Sequence, residues 1–170
     1  MLTKNFYAYI RADFSGSNSV ATFTKTDGTT DTVSTSADYP PFKVMNKWAK
    51  STAGTGVSFG TGTTPATASD YVLESILGDN KINVSTPSSI SFSRYDTYEE
   101  YTVTFGVTNK TADAITISEM GLTAMPYSPN SGGNYFVLVD RTVLDTPITI
   151  PAGQSKQITY TIRFNYGDAV

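Results

Sequence analysis

Apolar and polar residues alternate along most of this chain, a period of two that predicts strands rather than helices. The clearest case is 101–108, where Tyr101, Val103, Phe105 and Val107 share one face while Thr102, Thr104, Gly106 and Thr108 share the other. The last strand repeats the pattern, with Ile158, Tyr160, Ile162 and Phe164 inward and Gln157, Thr159, Thr161 and Arg163 outward. One-sided burial of this kind belongs to antiparallel sheets. Phe136-Val137-Leu138-Val139 is apolar on both faces and reads as a central strand. Turn residues fall between the strands: Asp27-Gly28 predicts a tight hairpin whose Thr-rich flanks leave the register open. Asn109–Ala114 and Pro151-Ala152-Gly153 separate further strands, and Pro126–Gly133 is a long polar excursion.

Roughly ten short strands joined by such turns imply an all-β fold, an antiparallel β-sandwich of jelly-roll type. One stretch departs from the period of two. In Phe42–Lys50, Val44, Met45, Trp48 and Ala49 lie on one side at helical spacing, which predicts one short α-helix after Pro40-Pro41. Residues 1–40 are polar and weakly patterned and read as an N-terminal β-hairpin arm, either projecting or part of the sandwich. Residues 41–170 read as the sandwich domain. No internal repeat or heptad pattern is present.

Composition narrows the chemistry. The 170 residues contain no Cys and no His, which removes disulfides, thiol nucleophiles, the commonest metal ligands and the usual general base. Twelve Lys and Arg against 15 Asp and Glu give a net charge of −3, without the basic footprint of a nucleic-acid binder. No apolar run approaches the ~18 residues of a membrane span. Met1–Arg11 lacks the apolar core of a signal peptide, so a soluble chain made in a cytoplasm is expected.

The remaining candidates mostly read as scaffold. Gly54–Pro65 is rich in glycine, but it has neither the Gly-Lys-Ser/Thr of a phosphate loop nor the third glycine of a dinucleotide fingerprint. Gly60 and Gly62 are therefore expected to shape a sharp turn after a short strand. Glu99 and Glu100 are adjacent, and strand neighbours point to opposite faces, so they cannot flank one sugar bond. Asp70 with Glu74, and Asp79 with Asn80, offer oxygens without the alternating ligands of a calcium loop. Neither a cofactor nor a metal site is expected, and no catalytic residue is assigned. Tyr7, Tyr9, Tyr39, Trp48, Tyr127 and Tyr135 are aromatic candidates for stacking on sugars or partners, with Tyr127 and Tyr135 preferred. Asn83-Val84-Ser85 and Asn109-Lys110-Thr111 match the glycosylation pattern and read as chance matches.

Three segments, in order between Phe42 and Tyr166, carry a resemblance. The first is Val57–Thr67 followed by Asp70-Tyr71-Val72-Leu73-Glu74, and the second is Ile115-Thr116-Ile117-Ser118-Glu119-Met120-Gly121-Leu122. The third joins Asp140-Arg141-Thr142-Val143-Leu144 to Ile148–Ser155 and the strand through Tyr160. Together they resemble a group of small tailed-bacteriophage virion proteins with "GxGTTxPT", "ITISEIGL" and "ARxVL…IPAGxS" segments. The resemblance implies a non-enzymatic virion structural protein. Its partners would be other virion proteins, the major capsid protein first, and it would form a homo-oligomer such as a trimer. Head decoration is the leading expectation; a tail, neck or baseplate component and a carbohydrate-binding module for host glycans are the alternatives. Within these segments, Glu119 and Arg141 either pair across neighbouring strands or stand as separate surface charges. Gly121 would admit a close neighbouring strand, and Asp70 would cap the turn before Leu73.

Overall fold

The computed structural model describes residues 1–8, 19–35, 56–85, 88–124 and 136–165. Nine strands occur among them: β1 (Ser19–Thr24), β2 (Thr30–Thr35), β3 (Gly56–Gly60), β4 (Ile82–Val84), β5 (Ser89–Arg94), β6 (Tyr98–Asn109), β7 (Ile115–Ala124), β8 (Val137–Ile150) and β9 (Ser155–Asn165). The protein is all-β, and the strand pairs of known register are antiparallel. The helix expected over Phe42–Lys50 lies outside the described residues. A single helical turn over residues 4–8, which the pattern did not suggest, lies within them.

The chain divides into two compact units, Met1–Gly78 with Thr116–Ile148, and Asp79–Ile115 with Thr149–Val170. In the first unit β7 lies between β3 and β8. Phe59, Val57, Ile117, Leu122, Val137 and Leu138 are among its buried core residues. The hairpin turn is the five-residue loop Lys25–Thr29 between Thr24 and its partner Thr30, narrowed by the Lys25 amide donating to the Thr29 carbonyl, with Gly28 at φ +83°. That positive φ is why the sequence needs glycine there. Asp27 accepts the Thr29 amide and hydroxyl at 2.8 and 2.7 Å, which holds its carboxyl below the usual aspartate range.

Residues 1–8 and the hairpin belong to this unit, and the boundary read at residue 40 falls outside the described residues. Leu2 bridges Asp140, Thr3 donates its amide to Val139 and its hydroxyl to the Leu138 carbonyl, and the Arg141 amide donates to Met1. The buried Asn5 side chain exchanges two hydrogen bonds with the Thr24 backbone and donates to Leu138. The Thr26 amide donates to the Phe136 carbonyl at 2.9 Å. These contacts tie both segments to the backbone of Phe136 and β8, and Val137–Val139 is buried.

In the second unit β6 pairs along its length with β9, while β5 and then β4 share its other edge. The alternation read from sequence is the observed one. Val103, Phe105, Val107, Ile158, Tyr160 and Ile162 are buried on one face, while Gln157, Thr159, Thr161 and Arg163 are exposed on the other. Asn109, 1% exposed, donates to the Asp113 and Ile150 carbonyls and accepts from the Thr111 amide and hydroxyl. It organises the loop that follows, and its buried amide is not accessible for modification. The Pro151–Gln154 turn closes through the Gln154 amide, with Gly153 at φ +65°.

Of the stretches read as two strands, Phe136–Val139 and Ile148–Ile150, all but Phe136 belong to one 14-residue strand, β8. Proline is excluded from a strand only where its missing N–H would have a partner. Asp145, Thr146 and Pro147 are all exposed, so the strand passes through Pro147.

Candidate functional site

Between β3 and Gly78 the first unit carries a loop without regular structure, residues 61–77, whose ends are drawn together. Gly60 bridges Ile76, the Thr61 amide donates to Ser75, and the Leu77 amide donates to Phe59. A loop whose ends meet while its middle lacks a ladder must satisfy its amides by side chains. Here three of them converge on one carboxylate. Glu119, on β7 and 0% exposed, accepts the amides of Gly62, Ser75 and Glu74 at 3.1, 2.7 and 3.1 Å.

The positive charge beside Glu119 is Arg141 on β8, itself 3% exposed. Its Nε donates to Glu119 at 2.8 Å, one terminal nitrogen donates to Asp70 at 2.8 Å, and the other reaches Glu74 at 3.4 Å. The guanidinium fork thus spans three carboxylates, as a single ammonium would not. Burial of Arg141 works against its charge, but the hydrogen bonds to Asp70 and Glu119 outweigh it and raise its pKa. Asp70 is likewise opposed by burial, and the bonds from Arg141 and Thr67 prevail, holding its carboxyl below the ordinary range. Glu74 is held low chiefly by the Thr64 amide, 2.8 Å away.

The structure therefore brings together five of the six residues singled out as motif positions, Gly60, Gly62, Asp70, Glu119 and Arg141, while Gly121 packs against Leu73 and Leu138. Glu119 and Arg141 pair across β7 and β8 and are buried, so the separate-surface-charge alternative does not apply. Gly60 and Gly62 are required for clearance. Neither has a positive φ, but a Cβ on Gly60 would lie 2.7 Å from the Ser75 carbonyl and against Glu119, and one on Gly62 would lie 2.6 Å from Glu119. Gly121 lies close against the neighbouring strand β8, whose Leu138 side chain and Asp140 carbonyl would be 2.9 and 3.2 Å from a Cβ there, and it also makes room for Leu73 at 2.7 Å. Asp70 closes the turn behind it by accepting the Thr67 amide and hydroxyl, and does not cap the turn before Leu73. Glu74 was weighed only as a calcium ligand; its spacing of four from Asp70 was the available signal for a shared partner.

Chemically, the cluster is a brace. Every oxygen of Glu119 and Asp70 accepts at least one hydrogen bond from the loop or from Arg141. Among the described residues, no group of three or more acids is arranged to hold a metal ion. Because Asp70 and Glu74 titrate below their ordinary values when folded, their contribution is complete above those values and lost as pH falls through the lowered ones. Urea denaturation of the full chain should show stability constant from pH 7 to about 5 and falling below about 4. Asp70→Asn should be less stable at pH 7 and show a shallower acid limb.

Glu99 and Glu100 lie on opposite faces of β6, as neighbours on a strand must. Glu99 pairs with Arg94 at 2.6 Å and Glu100 with Arg163 at 2.6 Å. Tyr127 and Tyr135, the preferred stacking candidates, lie outside the described residues, as do Tyr9, Tyr39 and Trp48. Tyr7 is exposed and packs edge-on against Phe6. No helix of the described residues is long and apolar enough to cross a membrane. Compared with protein-family models, curated proteins and solved structures, the chain matches none of them.

Proposed function

We propose that this chain is a non-enzymatic structural protein of a bacteriophage virion, a capsid decoration protein bound to the shell by protein–protein contacts. The observation that carries the reading is the convergence of its motif residues. The three segments that resemble virion proteins are far apart in sequence, yet Gly60, Gly62, Asp70, Glu119 and Arg141 meet in one brace, with Gly121 packed against Leu73 of the braced loop. A shared pattern that encodes a braced loop suits a part that acts by shape. The braced loop exposes Tyr71, Val72 and Ile76, a combination of aromatic and aliphatic side chains suited to subunit contact.

In this reading the chain is made in the host cytoplasm and resides in the virion, with the major capsid protein as its partner and further copies of itself beside it. Neither nucleic acid nor membrane is a partner. The test is an electron-microscopic map of the particle at side-chain resolution. Density for this chain on the capsid lattice is the expected result. Density confined to the tail would make it a tail component, and particles that lack it would end the proposal.

A further inference from the structure

The outward face of the second unit's sheet has an organisation of its own. Registers across the sheet set Ser93, Glu100 and Arg163 in one row, Ser91, Thr102 and Thr161 in the next, and Ser89, Thr104 and Thr159 in a third. Beyond them Gly106 stands opposite Gln157, and Thr108 opposite Ser155. Hydroxyls of adjacent strands touch: Thr102 with Thr161 at 3.3 Å, Thr104 with Thr159 at 3.1 Å and Thr108 with Ser155 at 2.7 Å. Each pair shares one hydrogen, so it retains a second O–H and free lone pairs toward solvent.

At the head of these rows stands an aromatic stack. Tyr98 and Tyr95, either side of the Asp96-Thr97 turn, stack with ring centroids 4.4 Å apart and planes at 26°. The Arg163 guanidinium lies 4.2 Å over the Tyr98 ring and is held by two hydrogen bonds to Glu100. Tyr95 is therefore positioned before any ligand arrives, with 46% of its surface exposed. Threonine on a wet strand needs no ligand to explain it. A half-exposed tyrosine fixed by a stack at the end of the hydroxyl rows is the feature that does.

We propose that this face binds a neutral polysaccharide, with one sugar ring stacked on Tyr95 and the chain's hydroxyls meeting the Ser/Thr rows. The charge of the face selects this class. Its charged residues, Glu100 and Arg163, neutralise each other, which gives nothing to hold a polyanion. The rows themselves carry hydroxyls instead of the apolar core a protein interface requires. A polyhydroxylated chain supplies apolar C–H faces for the ring and donors and acceptors for the rows. Threonine and stacked tyrosine lose little side-chain freedom on binding. The site differs from the one sequence suggested at Tyr127, and it stands or falls independently of the virion reading.

The test is native affinity electrophoresis of the full chain in gels containing hydroxyethyl cellulose, dextran, galactomannan or soluble starch, with alginate as the anionic control. Retardation by at least one neutral polymer is expected. Tyr95→Ala should weaken it about tenfold, the order of one lost ring contact. Thr104→Val with Thr159→Val should weaken it severalfold, and Tyr7→Ala, an exposed tyrosine of the first unit, should leave it unchanged. Circular dichroism checks that each variant is folded. Unaltered mobility in all four neutral gels, equal retardation of Tyr95→Ala and wild type, or retardation by alginate only would each overturn the proposal.

Discussion

Replacing Arg141 by methionine lowers the stability of the chain by about 3–5 kcal/mol, read as a shift of the urea midpoint. The size follows from what is left behind. Glu119 remains buried beside Asp70 and Glu74, three carboxylates facing one another without the guanidinium that separates them. Methionine fills much of the volume, so the loss reports charge rather than packing. The partner change Glu119→Gln turns one acceptor into an amide that presents N–H to N–H donors, and it should cost a comparable amount. The double variant Glu119→Gln/Arg141→Met should lose less than the two single variants together, because each single change leaves the other charge buried without its partner, a cost the double variant does not repeat. A double variant as unstable as their sum would show that the pair acts through packing and not through its charge.

Gly60→Ala is the second large effect, a loss of about 1–3 kcal/mol by overpacking. A methyl group at 60 meets the Ser75 carbonyl at 2.7 Å, and a backbone atom fixed by its own hydrogen bond to Thr61 cannot swing aside. Gly62→Ala meets the Glu74 Cβ at 2.5 Å and the Glu119 carboxylate at 2.6 Å, one atom fixed to its backbone and the other buried among its own hydrogen bonds. A loss of similar size is therefore expected for both variants in parallel urea titrations. An unchanged midpoint for either would mean that the 61–77 loop shifts away from β7 at little cost.

How much of this was legible in the sequence depended on whether the pattern was local. The faces of β6 and β9 were readable because alternation needs no knowledge of the partner strand. Asp27-Gly28 and Pro151-Ala152-Gly153 were readable because a positive φ has few candidate residues. The brace was half visible: Glu119 and Arg141 stood out as charges within apolar strands, but nothing local showed that their partners came from the 61–77 loop. Gly60 and Gly62 were singled out for the wrong reason, since a glycine needed for clearance and one needed for φ look alike in a sequence. Thr3 and Asn5, buried against β8, were missed because a polar residue near a chain end gives no sign that it is enclosed. The stack of Tyr95, Tyr98 and Arg163 was missed for a related reason: it joins a turn to a strand 65 residues after Tyr98 in the chain.

A segment fastened at its anchors is free between them. Thr64 is tied to Glu74 and Thr67 to Asp70, while Pro65 and Ala66 lie between those ties at the surface. Foreign peptide spliced between these two residues would be carried outward on a base that does not depend on the inserted sequence, which makes the position a natural port for display.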